Sequence, residues 1–557
     1  MKKIIFLAAL LCMLVTTNQV SALTRVVHVS GLQGELTQAL RNQMDGLTYN
    51  DTIFIYFDKA GNDTIYGTVT AYCNVVMAGL GRCKSTVVLE NGNLFSDDTF
   101  FAMKGTIDHN ISVSISDMSF KLKDHNGIWW ESNPKFAVKI YHANSVNINN
   151  VDSYLKNAVC TNFNLRVCSN VTVSNCIITN YNNCIAGGNL WLQGEMDNVN
   201  VTGNRFYKYG NDETLAVFSH VVESTDRGDI KGNVTRSNIN ITDNDFYYGY
   251  DGADKNYLFN DMQFSLYSDE TSTYSCTTNG FIFSNNRFTI DDLTHRAMFI
   301  GFNEADTFYN VHFNNNTFND NYIGSVARYY RNEVEVKDLS CHTDTVFFHD
   351  NIFCNNNPVV NPSGDTGAAF FQLRGGRVCL DGNLFQNTVT ADTAAFTDIG
   401  VSLVWCGEQG GDLILKNNVT KNLKHLARLS EGGGISKVKI TAENNIFQGD
   451  TKIYCNAIDT LDLVFNKNLF VSNNMNFFLQ EFASTGSLVF NENNVHVKTN
   501  GGQLMTHWTS NPTSSMHFEI LDVKKNMLRG VTSINDMLNN ITNVSNRVVL
   551  GNLCMLN

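Results

Sequence analysis

The sequence predicts an all-β chain, a single-stranded right-handed parallel β-helix with an N-terminal capping helix, from three observations. First, a short phrase recurs down the chain: an apolar run, then Asn, any residue, and Phe or another apolar side chain. Clear copies fall at Asn204/Phe206, Asn244/Phe246, Asn286/Phe288, Asn316/Phe318, Asn351/Phe353, Asn383/Phe385, Asn445/Phe447 and Asn468/Phe470. Weaker copies fall at Asn150, Asn175, Asn418, Asn494 and Asn526. From Asn204 onward the intervals run from 23 to 42 residues, and a constant phrase with variable filler at such a period marks a solenoid. Second, each copy follows a β-branched or aromatic run of period two, such as Val199-Asn200-Val201 or Phe281-Ile282-Phe283. That is the pattern of a strand with one buried face. Third, coils stacked at about 4.8 Å set like on like. Inward Phe and Ile then form apolar stacks, and asparagines at the bend form amide ladders.

The elements follow in chain order. Lys2-Lys3, the apolar run Ile4 to Val15 and Val20-Ser21-Ala22 read as a secretory signal peptide, residues 1–22. The run is too short for a permanent anchor, and Leu11 ahead of Cys12 argues against a lipoprotein site. Export across the inner membrane is expected, to the periplasm, the cell surface or the medium. Residues 23–557 form one β-helix domain, because a solenoid grows without splitting, with roughly 15 to 17 coils in a rod about 75 Å long. Open ends need caps. Leu36, Leu40 and Met44 recur every fourth residue within Glu35–Leu47, one face of an amphipathic helix assigned to the N-terminal cap. Asp51–Phe57 supplies the first strand, Asn74–Gly81 continues into the first coils, and Ser533–Asn546 closes the far end. The widest intervals lie between Asn204 and Asn286, where long loops such as Tyr207–Val222 and Tyr247–Thr278 leave the cylinder. Such loops are the usual place for a binding site, or for neutral insertion.

Composition narrows the partners. The formal net charge is −13, or −15 once Lys2 and Lys3 are removed with the leader. An acidic chain is a poor match for nucleic acid. It still suits an acidic polysaccharide where a local basic cleft or a bridging cation lies within the acidic shell. Fourteen cysteines, one of them in the leader, include no CxxC pair. Cys160, Cys168, Cys176 and Cys184 recur every eighth residue, and Cys160 and Cys184 lie about one coil apart, as a disulfide or as two buried thiols.

Register turns sequence offsets into neighbours. Counted from each Phe, Asp254 is eight positions after Phe246, His295 and Arg296 are seven and eight after Phe288, and Arg328 is ten after Phe318. Three successive coils thus bring an acid, a His-Arg pair and an arginine to one flank. Asp243, Asp245, Asp251 and Asp261 fall on or near it, and Arg331 follows Arg328. Trp129-Trp130 and Tyr329-Tyr330 are candidate sugar-stacking platforms, with loop packing the other role open to the paired indoles.

The stretch from about 240 to 332 resembles the pectate lyase family of polysaccharide lyases. The resemblance is carried by Thr242-Asp243-Asn244-Asp245-Phe246-Tyr247, Phe281-Ile282-Phe283-Ser284-Asn285-Asn286-Arg287-Phe288, Thr294-His295-Arg296-Ala297-Met298-Phe299-Ile300-Gly301, Val311–Phe318 and Ala327-Arg328-Tyr329-Tyr330-Arg331. It covers under a fifth of the chain and implies the pectin-lyase-like fold. By the same resemblance Asp243, Asp245 and Asp261 hold calcium, His295 and Arg296 bind substrate, and Arg328, with Arg331 beside it, abstracts a proton. The sequence departs from the family in lacking a Pro between the two arginines and a clear acidic pair before Phe281.

The chemistry asks for such groups. β-Elimination of a uronic-acid glycan removes a proton α to a carboxylate, and a cation must neutralise the charge that builds there. Arginine is normally protonated, so Arg328 as base requires a neighbouring cation and desolvation. The Gly-His-Gly and Arg-Ile-Lys phrases of a polygalacturonase-like hydrolase are missing, as are the phrases of chondroitinase-B-like lyases and of pectin esterases. The expectation is a secreted, monomeric, carbohydrate-active protein acting on an acidic polysaccharide as a lyase. A non-catalytic glycan-binding solenoid and a hydrolase on the same fold are the alternatives.

Overall fold

The computed structural model describes residues 22–94, 99–123, 136–156, 161–181, 188–209, 214–218, 233–249, 264–268, 275–290, 297–320, 332–338, 344–356, 369–388, 402–407, 410–429, 435–455, 458–472, 483–498, 517–538, 541 and 543–556. They form a parallel β-helix of 41 strands in one hydrogen-bonded network. Successive coils pair in parallel and in register, as in Val171↔Val199↔Ile239↔Phe281↔Val311. Each coil has three faces. The first is the strand ahead of the asparagine turn, such as Val234–Thr242, and the second is the strand after it, such as Asp245–Gly249. The third is represented by Leu215–Phe218, Phe264–Tyr267, Met298–Phe302, Asn332–Asp338 and Ala369–Arg374, each stacked on the last.

The asparagine turn explains the phrase. Asn204, Asn244, Asn286, Asn316, Asn351, Asn383, Asn418, Asn445, Asn468, Asn493, Asn526 and Asn552 stack along one edge. Each Nδ2 donates to the next Oδ1 at 2.8–3.2 Å. Each Oδ1 in the run also accepts a backbone N–H, as from Asn316 to Asn351 at 2.8 Å. The second proton of each Nδ2 goes to a strand carbonyl, as from Asn351 to Phe313 at 2.9 Å. The inward amide therefore uses its full hydrogen-bonding capacity. The residue before it turns the chain in a left-handed conformation, with φ of 54–58° at Asn285, Asn315, Asp350, Asn417 and Asn444, where Asn, Asp and Gly fit at least cost. Two steps along from the ladder, Phe206, Phe246, Phe288, Phe318, Phe353 and Phe385 stack with centroids 4.5–5.0 Å apart.

Several details differ from the sequence reading. Asn150 and Asn175 occupy the left-handed position ahead of the ladder site, with φ of 56° and 55°. The inward sites themselves are Val151 and Cys176. The ladder asparagine near 494 is Asn493, and Asn552 extends the row by one rung. Where two asparagines are adjacent, sequence alone does not say which one turns the chain and which one points in.

At the N-terminal end, helix α1 (Leu36–Met44) is capped by the Glu35 carboxylate, which accepts from Thr37 N and Gln38 N at 2.7 and 2.9 Å. Leu40 and Met44 are buried. The helix lies on an open strand edge: Thr37 Oγ1 accepts from Tyr66 N, and Arg41 Nε donates to Thr68 O. At the far end, helix α2 (Ile534–Met537) puts Met537, Leu538 and Ile541 into the core. The strands Val544–Leu550 and Leu553–Met555 then form the last described rung.

Candidate functional site

The third face holds its chemistry on the outside. Alternation along each strand sends one set of residues into the core, for example Val138/Ile140, Phe163/Leu165, Leu190/Leu192 and Phe264/Leu266. The residues between them point out. Parallel register lines these up in two rows. One runs Lys139, Asn164, Trp191, Ala216, Ser265, Phe299, Glu335, Gln372, Trp405 and Arg428. The other runs Lys104, Tyr141, Arg166, Gln193, Phe218, Tyr267, Gly301, Lys337 and Arg374. The first row spans nine rung spacings, about 43 Å at 4.8 Å each.

The first coils of this face build a cationic, aromatic cluster. Arg166 Nε donates to Gln193 Oε1 at 2.6 Å and to Asn164 Oδ1 at 3.1 Å, and Asn164 Nδ2 donates to the same Gln193 oxygen at 2.7 Å. Lys139 Nζ sits 4.8 Å from the Tyr141 ring centre and 4.9 Å from that of Phe136. The Arg166 guanidinium carbon lies 5.3 Å from Tyr141, and Trp191 meets Phe136 edge-on at 5.9 Å. Each contact is within cation–π or aromatic-pair range. Although they point away from the core, Lys139 is 3% exposed and Arg166 8%. Both are therefore largely covered, and their contacts with Phe136, Tyr141, Asn164 and Gln193 hold them in place.

Midway, the face becomes neutral. Phe299 packs over Gly301, where a Cβ would meet the ring at 2.9 Å. Tyr267 and Phe299 pair at 6.2 Å. Farther along, Lys337 and Arg374 occupy adjacent rungs of one row, and Gln372, Trp405 and Arg428 continue the other.

The sequence-predicted residues fall in two groups. Asp243 stands exposed in the left-handed turn position, φ 59°, ahead of the ladder. Asp245 opens the second-face strand, where its Oδ1 accepts from Arg287 Nε and Nη2 at 3.0 Å and its Oδ2 lies 3.9 Å from Arg205 Nε. Register explains the arrangement, since Arg205, Asp245 and Arg287 occupy the same position on three successive rungs. The two aspartates sit about 13 Å, a strand's length, from the end at Gly249 where segment 250–263 leaves. Calcium takes six to eight oxygen ligands. The described pair does not make such a site, and no group of three metal-capable side chains occurs among the described residues. Asp261, Trp129, Trp130, His295, Arg296, Arg328, Tyr329, Tyr330 and Arg331 lie outside the described residues, as do Asp251, Asp254, Cys160 and Cys184. In the chain, His295-Arg296 lie one residue ahead of the third-face strand Met298–Phe302, and Arg328–Arg331 directly precede Asn332–Asp338.

Cys168 and Cys176 are buried free thiols. Burial pushes them up to about 12 and about 11, and Cys406 on the third face up to about 12, so they are poor nucleophiles at neutral pH. No described helix is long and apolar enough to cross a membrane.

Register counted from the Asn-x-Phe phrase misses the third-face rows, because filler of variable length separates that phrase from the third face. A local signal exists all the same. A cation, amide or Trp interrupts an apolar run at alternate positions in Val138-Lys139-Ile140-Tyr141, Leu190-Trp191-Leu192-Gln193 and Phe371-Gln372-Leu373-Arg374.

No family model matches this chain, and no curated protein matches it. Among solved structures it is similar to a DFA-IIIase from Arthrobacter chlorophenolicus A6, with 12% identity, 71% of this chain and 94% of that one covered, and a TM-score of 0.44. It is also similar to the catalytic unit of a thermostable GH87 α-1,3-glucanase from Streptomyces thermodiastaticus, with 14% identity, coverage of 76% and 69%, and a TM-score of 0.39. A third is the tailspike of E. coli bacteriophage HK620 in complex with a pentasaccharide, with 11% identity, coverage of 94% and 75%, and a TM-score of 0.37.

Proposed function

We propose that this chain is a carbohydrate-active β-helix protein that binds an acidic glycan along the outside of its third face and cleaves it by β-elimination. One observation carries the binding half. Among the described residues, the register rows of that face hold six cationic positions, Lys104, Lys139, Arg166, Lys337, Arg374 and Arg428, on a chain of net charge −13. Aromatic rings interleave with these cations at Tyr141, Trp191, Tyr267, Phe299 and Trp405, a pattern suited to pyranose rings that carry carboxylates. Rows spaced by the rung repeat suit a polymer rather than a small ligand.

The cleavage half rests on the residues that lead into this face. Arg328 is the proposed base, His295 and Arg296 the proposed substrate ligands, and Arg331 the neighbouring cation. The base takes the proton α to the carboxylate, the electron pair forms a carbon–carbon double bond, and the glycosidic oxygen departs. Guanidinium and ammonium groups neutralise the carboxylate as charge builds on it, since Asp245 is engaged by arginines.

The test is incubation with polygalacturonate, alginate and glycosaminoglycans, with and without calcium, following ultraviolet absorbance of the unsaturated product. Product from an acidic glycan and none from a neutral one supports the reading. Arg328→Ala then abolishes turnover with thermal unfolding unchanged, and retained activity removes Arg328 from the role. Binding without product on any substrate makes the chain a glycan-binding solenoid instead.

A further inference from the structure

Arg236 is an arginine inside the cylinder. It lies on the first-face strand Val234–Thr242, on the inward side, with register between Met196 and Thr278, both buried. Its side chain is fully buried. Nη1 donates to the carbonyls of Val217 and Tyr267 at 3.2 and 3.1 Å, two of the last residues of third-face strands. Among the described residues, Nε and Nη2 have no hydrogen-bond partner and Arg236 forms no ion pair.

Among the described residues, nothing compensates this cation. Each unmade buried hydrogen bond costs about 1–3 kcal/mol, and an unpaired buried charge costs several more. A buried lysine escapes by losing its proton, but a guanidinium does not. Water satisfies the donors and leaves the charge, whereas an anion meets both demands.

The neighbouring rung offers a small side chain and a second donor. Along this inward column the side chains run Cys168, Met196, Arg236, Thr278 and Phe308. The small Thr278 therefore stands next to the guanidinium, one rung spacing of about 4.8 Å along the axis. Its hydroxyl has one described contact, to the buried Cys276 thiol at 4.0 Å. The guanidinium N–H groups can only donate, and the hydroxyl can donate beside them, so the set suits an anion.

We propose that the solenoid interior holds a small monovalent inorganic anion, of halide size, against Nε and Nη2 of Arg236 with the Thr278 hydroxyl as a further donor. Crystals of the full chain grown in bromide test this directly. An anomalous bromide peak within hydrogen-bond distance of Arg236 is expected. A chain carboxylate, or water alone, at that position overturns the proposal. In solution, chloride or bromide raises the unfolding temperature relative to gluconate at equal ionic strength, and Arg236→Met removes that response. An equal response in both proteins, or none in the wild type, contradicts it. The wild-type measurements stand even if the variant does not fold.

Discussion

The asparagine corner and the third face are made by the same coils and treat polar groups in opposite ways. At the corner, the inward amides of the ladder bond to the rung on either side and to a strand carbonyl. The row is satisfied internally, and its left-handed turns are held mostly by Asn, Asp and Gly, with Lys467, Glu492 and Lys525 toward the far end. On the third face the polar groups point outward, stand among aromatic rings, and change identity from rung to rung. Constancy marks a part that serves the fold. Variation on a rigid frame, next to segments of variable length, is the pattern expected of the proposed ligand face.

Substitutions that ask each region to behave like the other sharpen the contrast. The largest effect is expected for Asn351→Ala. It removes the acceptor of Asn316 N and Nδ2 and the donor to Phe313 O and Asn383 Oδ1. At about 1–3 kcal/mol per buried group left unmade, partly relieved by local relaxation, a loss of about 4 kcal/mol is expected by denaturant unfolding. A loss under about 1 kcal/mol would mean that the ladder is ornamental.

A smaller, opposite effect is expected where the ladder begins. Cys176 N already donates to Asn204 Oδ1, and its thiol points at Ile148 O at 3.7 Å, in place of an amide. Cys176→Asn extends the row by one rung and stabilises by about 1 kcal/mol, the net worth of a hydrogen bond. Cys176→Leu lacks that gain, and equal stability of the two variants would break the account.

The smallest effect is a pH slope on the outer side of the first face. His312 stacks on Phe347 at 4.9 Å and lies 5.8 Å from His349. Burial, with the neighbouring His349, holds it below the ordinary histidine value of 6.5. The unfolded chain therefore takes up a proton before the native one. Stability from this site is present above pH 6.5 and declines as pH falls through and below it. His312→Gln flattens that slope in melts between pH 5 and 8, and a slope of opposite sign contradicts the assignment.

Much of the frame was legible because backbone physics repeats. Stacked strands demand like on like, so Asn244, Asn286 and Asn316, and the Phe two steps beyond each, announce their neighbours at any loop length. Which member of an Asn-Asn pair turns inward was not legible, because both types suit the bend. The candidate site was only partly legible. Counting from Phe318 led to segments that feed the third face, yet the rows through Lys139, Arg166, Lys337 and Arg374 depend on register across filler of unequal length. The ion pairs of Asp245 with Arg205 and Arg287 were not legible either, because those partners lie a coil away and close only in three dimensions.

The most direct test of the central claim compares wild type with a Lys337→Gln/Arg374→Gln variant, titrated calorimetrically with a polyuronate and with a neutral polysaccharide. The wild type is expected to bind the polyuronate with an affinity that falls as salt rises. The variant should lose about tenfold or more with unfolding little changed, and neither protein should bind the neutral chain. Equal polyuronate affinity in the two proteins, or salt-independent binding of both polymers, would contradict an acidic-glycan role for the third face.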